Sequence, residues 1–152
     1  MSDDPMRILV VEPTKDPYVK EIDGSLASMQ AIVGGFIQAV EPFDDPNVLL
    51  LCNEEAKLLG LPENRFLRNR NGIPYDIIHG TFFLAQGSGE EFCSLTDKQI
   101  QTYTRLYSRE KLFVMQHGKV INQLYAAGCR NIQLDDCTWG MFADKIGHIL
   151  YG

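Results

Sequence analysis

Residues Asn47 to Leu61 read Asn-Val-Leu-Leu-Leu-Cys-Asn-Glu-Glu-Ala-Lys-Leu-Leu-Gly-Leu, and the change of character inside that stretch constrains the fold more than any other part of the chain. Four consecutive apolar residues, Val48 to Leu51, followed by Cys52, suit a strand covered on both faces and are too few for a helix. Such a strand needs apolar elements above and below it, so it is expected in the middle of a layered domain. At Asn53-Glu54-Glu55 the chain becomes polar abruptly, and there it either turns in solvent or lines a site.

The length of 152 residues corresponds to a single domain, 1–152, large enough to fold without a metal or a disulfide. A net charge of −6 disfavours nucleic acid as a partner, because a grip on phosphate backbones needs clustered Lys and Arg. The carboxylates come in small groups between apolar runs, which also argues against a DNA-mimicking surface. No apolar run approaches the roughly 18 residues of a membrane span, and Met1-Ser2-Asp3-Asp4-Pro5 has no apolar signal core, so the cytoplasm is the expected location. The cysteines Cys52, Cys93, Cys129 and Cys137 stand singly, without C-x-x-C or histidine at ligand spacing. Neither a metal site nor a cofactor is expected from them.

In chain order, Arg7 to Glu12 predicts a strand stopped by Pro13, and Tyr18 to Ile22 a second one returning beside it as a hairpin. Asp23-Gly24-Ser25 offers side-chain acceptors to a helix start, Leu26 to Val33 has helical spacing, and Gly34-Gly35 supplies the stop. Phe36 to Val40 and Val48 to Cys52 follow as strands, with Lys57 to Leu59 extending the pairing. Glu63 to Leu67 fits one helical turn, Asn69 to Gly72 a tight turn, and Tyr75 to Leu84 the last clear strand. The expected fold class is α+β: a mixed or antiparallel sheet of ββαββ type with about five strands, one helix on its face and a helical C-terminal extension.

This order and its punctuation resemble the domain of unknown function 3846 family. The likeness rests on Met6-Arg7-Ile8-Leu9-Val10-Val11-Glu12-Pro13, Ile22-Asp23-Gly24-Ser25-Leu26, Ile32-Val33-Gly34-Gly35-Phe36-Ile37, Cys52-Asn53-Glu54-Glu55, Leu61-Pro62-Glu63-Asn64-Arg65 and Gly80-Thr81-Phe82-Phe83, within about residues 6–86. The resemblance implies a fold unit and a setting in phages and conjugative elements of Gram-positive bacteria. It brings no activity and no catalytic residues.

Residues 87–152 form the extension. Gly87-Ser88-Gly89 reads as a flexible joint, and Thr96 with Gln99 as a capping box opening a helix from about Asp97 to Ser108. Leu112 to Gln116 and Lys119 to Tyr125, on either side of His117-Gly118, suggest a hairpin. After Asp135-Asp136, the spacing of Trp139, Phe142, Ile146, Ile149 and Leu150 predicts a last helix. Trp139 either anchors that helix on the core or belongs to an exposed face for a partner or a second copy.

Candidate chemistry is sparse. Glu54 and Glu55 adjoin, but neighbours on a strand point to opposite faces and make a poor acid-base pair. Asn53, Asn64 and Arg65 have no hydrophobic reason for their positions; Arg65 either pairs with Glu54 or Glu55 or holds an anionic ligand through its planar fork. The histidines His79, His117 and His148 are scattered. The chain is therefore expected to be no enzyme but a binding protein that inhibits or modulates a host or defence protein, with Tyr107, Trp139 and Phe142 as partner-binding positions. The alternative is a binder of a small molecule such as a nucleotide signal, using Asn53, Glu54, Glu55, Asn64 and Arg65. An enzyme using Glu54 or Glu55 as base is the remote third reading. Self-association would favour a twofold homodimer.

Overall fold

A computed structural model describes residues 5–68, 74–88 and 91–126. Five antiparallel strands lie in the order β2-β1-β7-β4-β3: β1 (Met6–Val11), β2 (Tyr18–Ile22), β3 (Ile37–Val40), β4 (Val48–Asn53) and β7 (Phe82–Ser88). The short β8 (Glu91–Cys93) pairs with the far end of β7. A separate two-stranded hairpin consists of β5 (Glu63–Arg68) and β6 (Pro74–His79). Two helices complete the fold, α1 (Leu26–Val33) and α2 (Asp97–Ala126). The α+β class and the antiparallel sheet agree with the sequence expectation.

The sheet is covered on both sides, which is why β1, β4 and β7 read as unbroken apolar runs and not as alternating ones. On one face Leu9, Val11, Leu50, Cys52, Phe82 and Leu84 pack with Leu67 and Ile78 of the hairpin and Tyr103 and Tyr107 of α2. On the other, Ile8, Val10, Leu51, Phe83 and Ala85 pack with Met29 and Val33 of α1. The register places Leu84 beside Leu9 on one neighbour and Leu50 on the other, so β7 is the central strand and β4 its flank.

The ends of α1 follow local chemistry. Ser25 Oγ accepts from the Ser28 amide at 3.1 Å, and Gly34 closes the helix with φ of 80°, a conformation that costs glycine little. At α2, Thr96 and Gln99 cap each other: the Gln99 amide donates to Thr96 Oγ1 at 3.1 Å and the Thr96 amide to Gln99 Oε1 at 2.8 Å. Gln99 Nε2 also donates to Asp45 and to Gln86, so one side chain starts the helix and fastens it to the sheet.

Several expectations are corrected. The run from Tyr75 to Leu84 is two strands, because Gly80 turns the chain with φ of 76° and a Cβ there would stand 2.7 Å from Leu61 Cδ1. Glu63 to Leu67 is extended, held by pairing with β6, and not a helical turn: tertiary pairing overrides a weak local preference. Lys57 to Leu59 lie in a turn whose Leu59 amide donates to the Glu55 carbonyl at 2.9 Å, so they extend no strand. Gly87 and Ser88 belong to β7 and are no joint. The segment expected as a hairpin, Leu112 to Tyr125, continues α2 to Ala126, since a capped helix gains one hydrogen bond for each residue added. The expected last helix, with Trp139 and Phe142, lies outside the described residues.

Candidate functional site

The residues singled out from the sequence fall into two places. Asn64 and Arg65 are on β5, beneath α2; Asn53, Glu54 and Glu55 are where β4 leaves the sheet, beside the end of α1.

The first place is a closed polar interior. Arg65 is 0% exposed. Its Nε donates to the Tyr107 carbonyl at 3.0 Å, Nη1 to the Asn64 carbonyl and Oδ1 at 3.1 and 2.7 Å, and Nη2 to the Lys15 carbonyl at 2.7 Å. Asn64 Nδ2 in turn donates to the carbonyls of Val11 and Gly80, each at 2.8 Å. Five segments are thus fastened by two side chains: the end of β1, the turn after it, β5, the turn before β7, and α2. Arg65 does not pair with Glu54 or Glu55; its fork is spent on three backbone carbonyls and the side-chain oxygen of Asn64. Burial lowers its affinity for the proton, an effect only partly opposed by the negative charge of Glu110. Glu110, buried on α2, accepts from Arg68 Nε at 2.9 Å; burial raises its pKa above the ordinary carboxyl value, and Arg68 opposes that rise.

Tyr107 belongs to the same interior. Its ring meets Phe82 edge-on at 5.3 Å between centroids, and burial pushes its hydroxyl well above the usual range. The expectation of Tyr107 as a partner-binding surface is therefore corrected, because apolar spacing on an amphipathic helix marks the buried stripe first. His79 is also buried; its Nδ1 lies 2.8 Å from the Leu61 carbonyl, while Nε2 has no hydrogen-bond partner among the described residues. Cys52 packs in the core and its thiol is pushed up to about 11, chiefly by burial and secondarily by the charge of Asp76.

The second place is an open corner. Asn53 itself is buried, donating to the Val33 carbonyl at 3.1 Å and accepting from the Glu55 amide at 2.8 Å. It ties the last turn of α1 to the turn after β4. Beyond it Glu54 and Glu55 are exposed, and neither makes an ion pair among the described residues. The Glu54 amide donates to the Phe36 carbonyl at 2.9 Å, and one helical turn later come Leu58 and Leu59. Phe36 is 65% exposed, Leu58 90% and Leu59 58%. This apolar group around two carboxylates escaped the sequence reading, which assigned Phe36 and Leu58-Leu59 to strands. A signal was present: Leu58-Leu59 follows the five polar or small residues Asn53 to Lys57 and precedes Gly60, too short a run to reach the core. The nearby cation, Lys57, is engaged with Asp76 of β6.

Fold and site together define a small α+β protein with a polar bracket sealed in its interior and an apolar, acid-rimmed corner open to solvent. Residues 6–108 match the model of the family described as Domain of unknown function (DUF3846), and the chain belongs to that family. The match runs past Gln86, through β8 and into α2, so the capping box and Tyr107 are part of the family's unit. No curated protein and no solved structure matches the chain. Among the described residues no helix is long and apolar enough to cross a membrane, and no group of His, Cys, Asp and Glu could hold a metal ion.

Proposed function

We propose that this protein is a non-catalytic binding protein that works by occupying the surface of another protein, through the corner formed by Phe36, Leu58 and Leu59. The observation that carries this is the exposure of three large apolar side chains, with Phe36 joined to Glu54 by a backbone hydrogen bond and Leu58 and Leu59 in the turn that follows. Isolated exposed apolar residues are ordinary, but a group of them on a small domain marks an interaction site. In the phage and mobile-element setting that the family resemblance implies, the partner is a host or defence protein in the cytoplasm. The protein-binding reading is preferred to small-molecule capture because the amide groups of Asn53 and Asn64 and the fork of Arg65 are engaged within the chain.

The test is affinity capture from host cells with the wild type and with Leu58→Asp/Leu59→Asp, identified by quantitative mass spectrometry. A stoichiometric partner retained by the wild type and lost by the variant, at equal thermal stability, is the expected result. Equal recovery of the same partner by both proteins would contradict the assignment of the corner.

A further inference from the structure

We infer that the corner takes a basic amphipathic segment of its partner, one that sets apolar side chains on Phe36, Leu58 and Leu59 and places Lys or Arg against Glu54 and Glu55. The inference rests on the protein-binding reading and adds the chemistry of the occupant. Two observations carry it. Phe36, Leu58 and Leu59 are among the most exposed large apolar side chains of the described residues, and covering them gains about 25 cal/mol for each Å² removed from water. Its rim is acidic and unspent: Glu54 and Glu55 are exposed and without ion pairs among the described residues, while Lys57 is already held by Asp76. A partner that covered the leucines with neutral or acidic flanks would strand or repel these two carboxylates; a basic one pairs with them, and the net charge of −6 steers it in.

The geometry accounts for why the carboxylates stay at the rim. Asn53 Oδ1 accepts from the Glu55 amide and the Phe36 carbonyl accepts from the Glu54 amide, so the backbone of both residues is pinned while their side chains remain outside. The backbone that carries the carboxylates is thus fixed, and a partner spends little on ordering it.

The probe is a short amphipathic peptide of leucines and lysines, with its counterpart in which every lysine is glutamate, titrated into the isotopically labelled full chain by NMR. The lysine peptide is expected to shift the amides of Phe36, Glu54, Glu55, Leu58 and Leu59, and to bind about tenfold more weakly to Glu54→Lys/Glu55→Lys, the loss of roughly 1.4 kcal/mol of charge pairing. A charge-matched control, Glu21→Lys/Glu91→Lys, alters exposed carboxylates elsewhere and should weaken binding by less than about threefold. Equal binding of the two peptides, shifts away from the corner, or equal weakening by both double variants would overturn the inference. The protein-binding reading fails separately: it falls if Leu58→Asp/Leu59→Asp still captures the native partner, and it stands if that variant loses the partner while Glu54→Lys/Glu55→Lys keeps it.

Discussion

Beneath α2 the protein buries an arginine and an asparagine; at the corner after β4 it exposes a phenylalanine and two leucines. Each place inverts the usual sorting of residues by polarity, and the two inversions have different physical causes. Arg65 and Asn64 are inside because the end of β1, two turns and α2 present backbone carbonyls that need donors, and a buried carbonyl left without one costs about 1–3 kcal/mol. The side chains of Phe36, Leu58 and Leu59 stay exposed and outside the core. The polar residues without an evident hydrophobic reason serve the fold, whereas the apolar ones without a core to enter are those that the proposed function assigns to a partner.

The largest effect that separates the two regions is expected at Arg65. Arg65→Ala removes the donors serving Tyr107, Lys15 and Asn64 and deprives Glu110 of a neighbouring cation, and should cost about 3–5 kcal/mol in urea unfolding. Arg65→Lys should recover little, because a single ammonium cannot span the same carbonyls. A loss under about 1 kcal/mol would break the contrast between the regions.

The next effect is one of pH. Glu110 has a folded pKa raised by burial above its ordinary 4.5, with Arg68 pulling the other way. The folded state therefore holds this proton more tightly than the unfolded one. The group's contribution to stability is full below the unfolded value and is lost as pH rises through the folded value. Measured as the difference in unfolding free energy between wild type and Glu110→Gln, stability should shift toward the wild type as pH falls from neutral to about 4.5. A shift toward the variant would mean that Arg68 outweighs burial.

Smaller still is the effect of Leu58→Asp on folding: at 90% exposure it should stay within about 0.5 kcal/mol of the wild type, while capture is lost. A variant that unfolds would place Leu58 with the interior group. Least in energy but clear in readout, iodoacetamide at mildly alkaline pH should label exposed Cys93 and spare Cys52, whose thiol is pushed up to about 11, as read by peptide mapping.

Much of the framework was legible in the sequence for physical reasons. Asp23-Gly24-Ser25 and Gly34 bracket α1 because capping is local, and Thr96 with Gln99 announces α2 for the same reason. Val48 to Leu51 announces a doubly covered strand because no polar residue interrupts it. What failed depends on distance along the chain. β5 is extended only because β6 lies beside it, and β7 rather than β4 takes the centre because β1 and β4 both pair with it. Within the site, Asn53, Asn64 and Arg65 were recognisable as out of place, but the carbonyls they serve come from segments up to 53 residues away. The exposed leucines were hidden by their own resemblance to a strand.

On the proposed function the corner, and not the interior bracket, meets the partner. Amide hydrogen exchange of the full chain, alone and with the captured partner, tests it most directly. New protection is expected at Phe36 and across Glu54 to Gly60, with β5 and the first turns of α2 unchanged. Protection gained at β5 or α2 with none at the corner would contradict it.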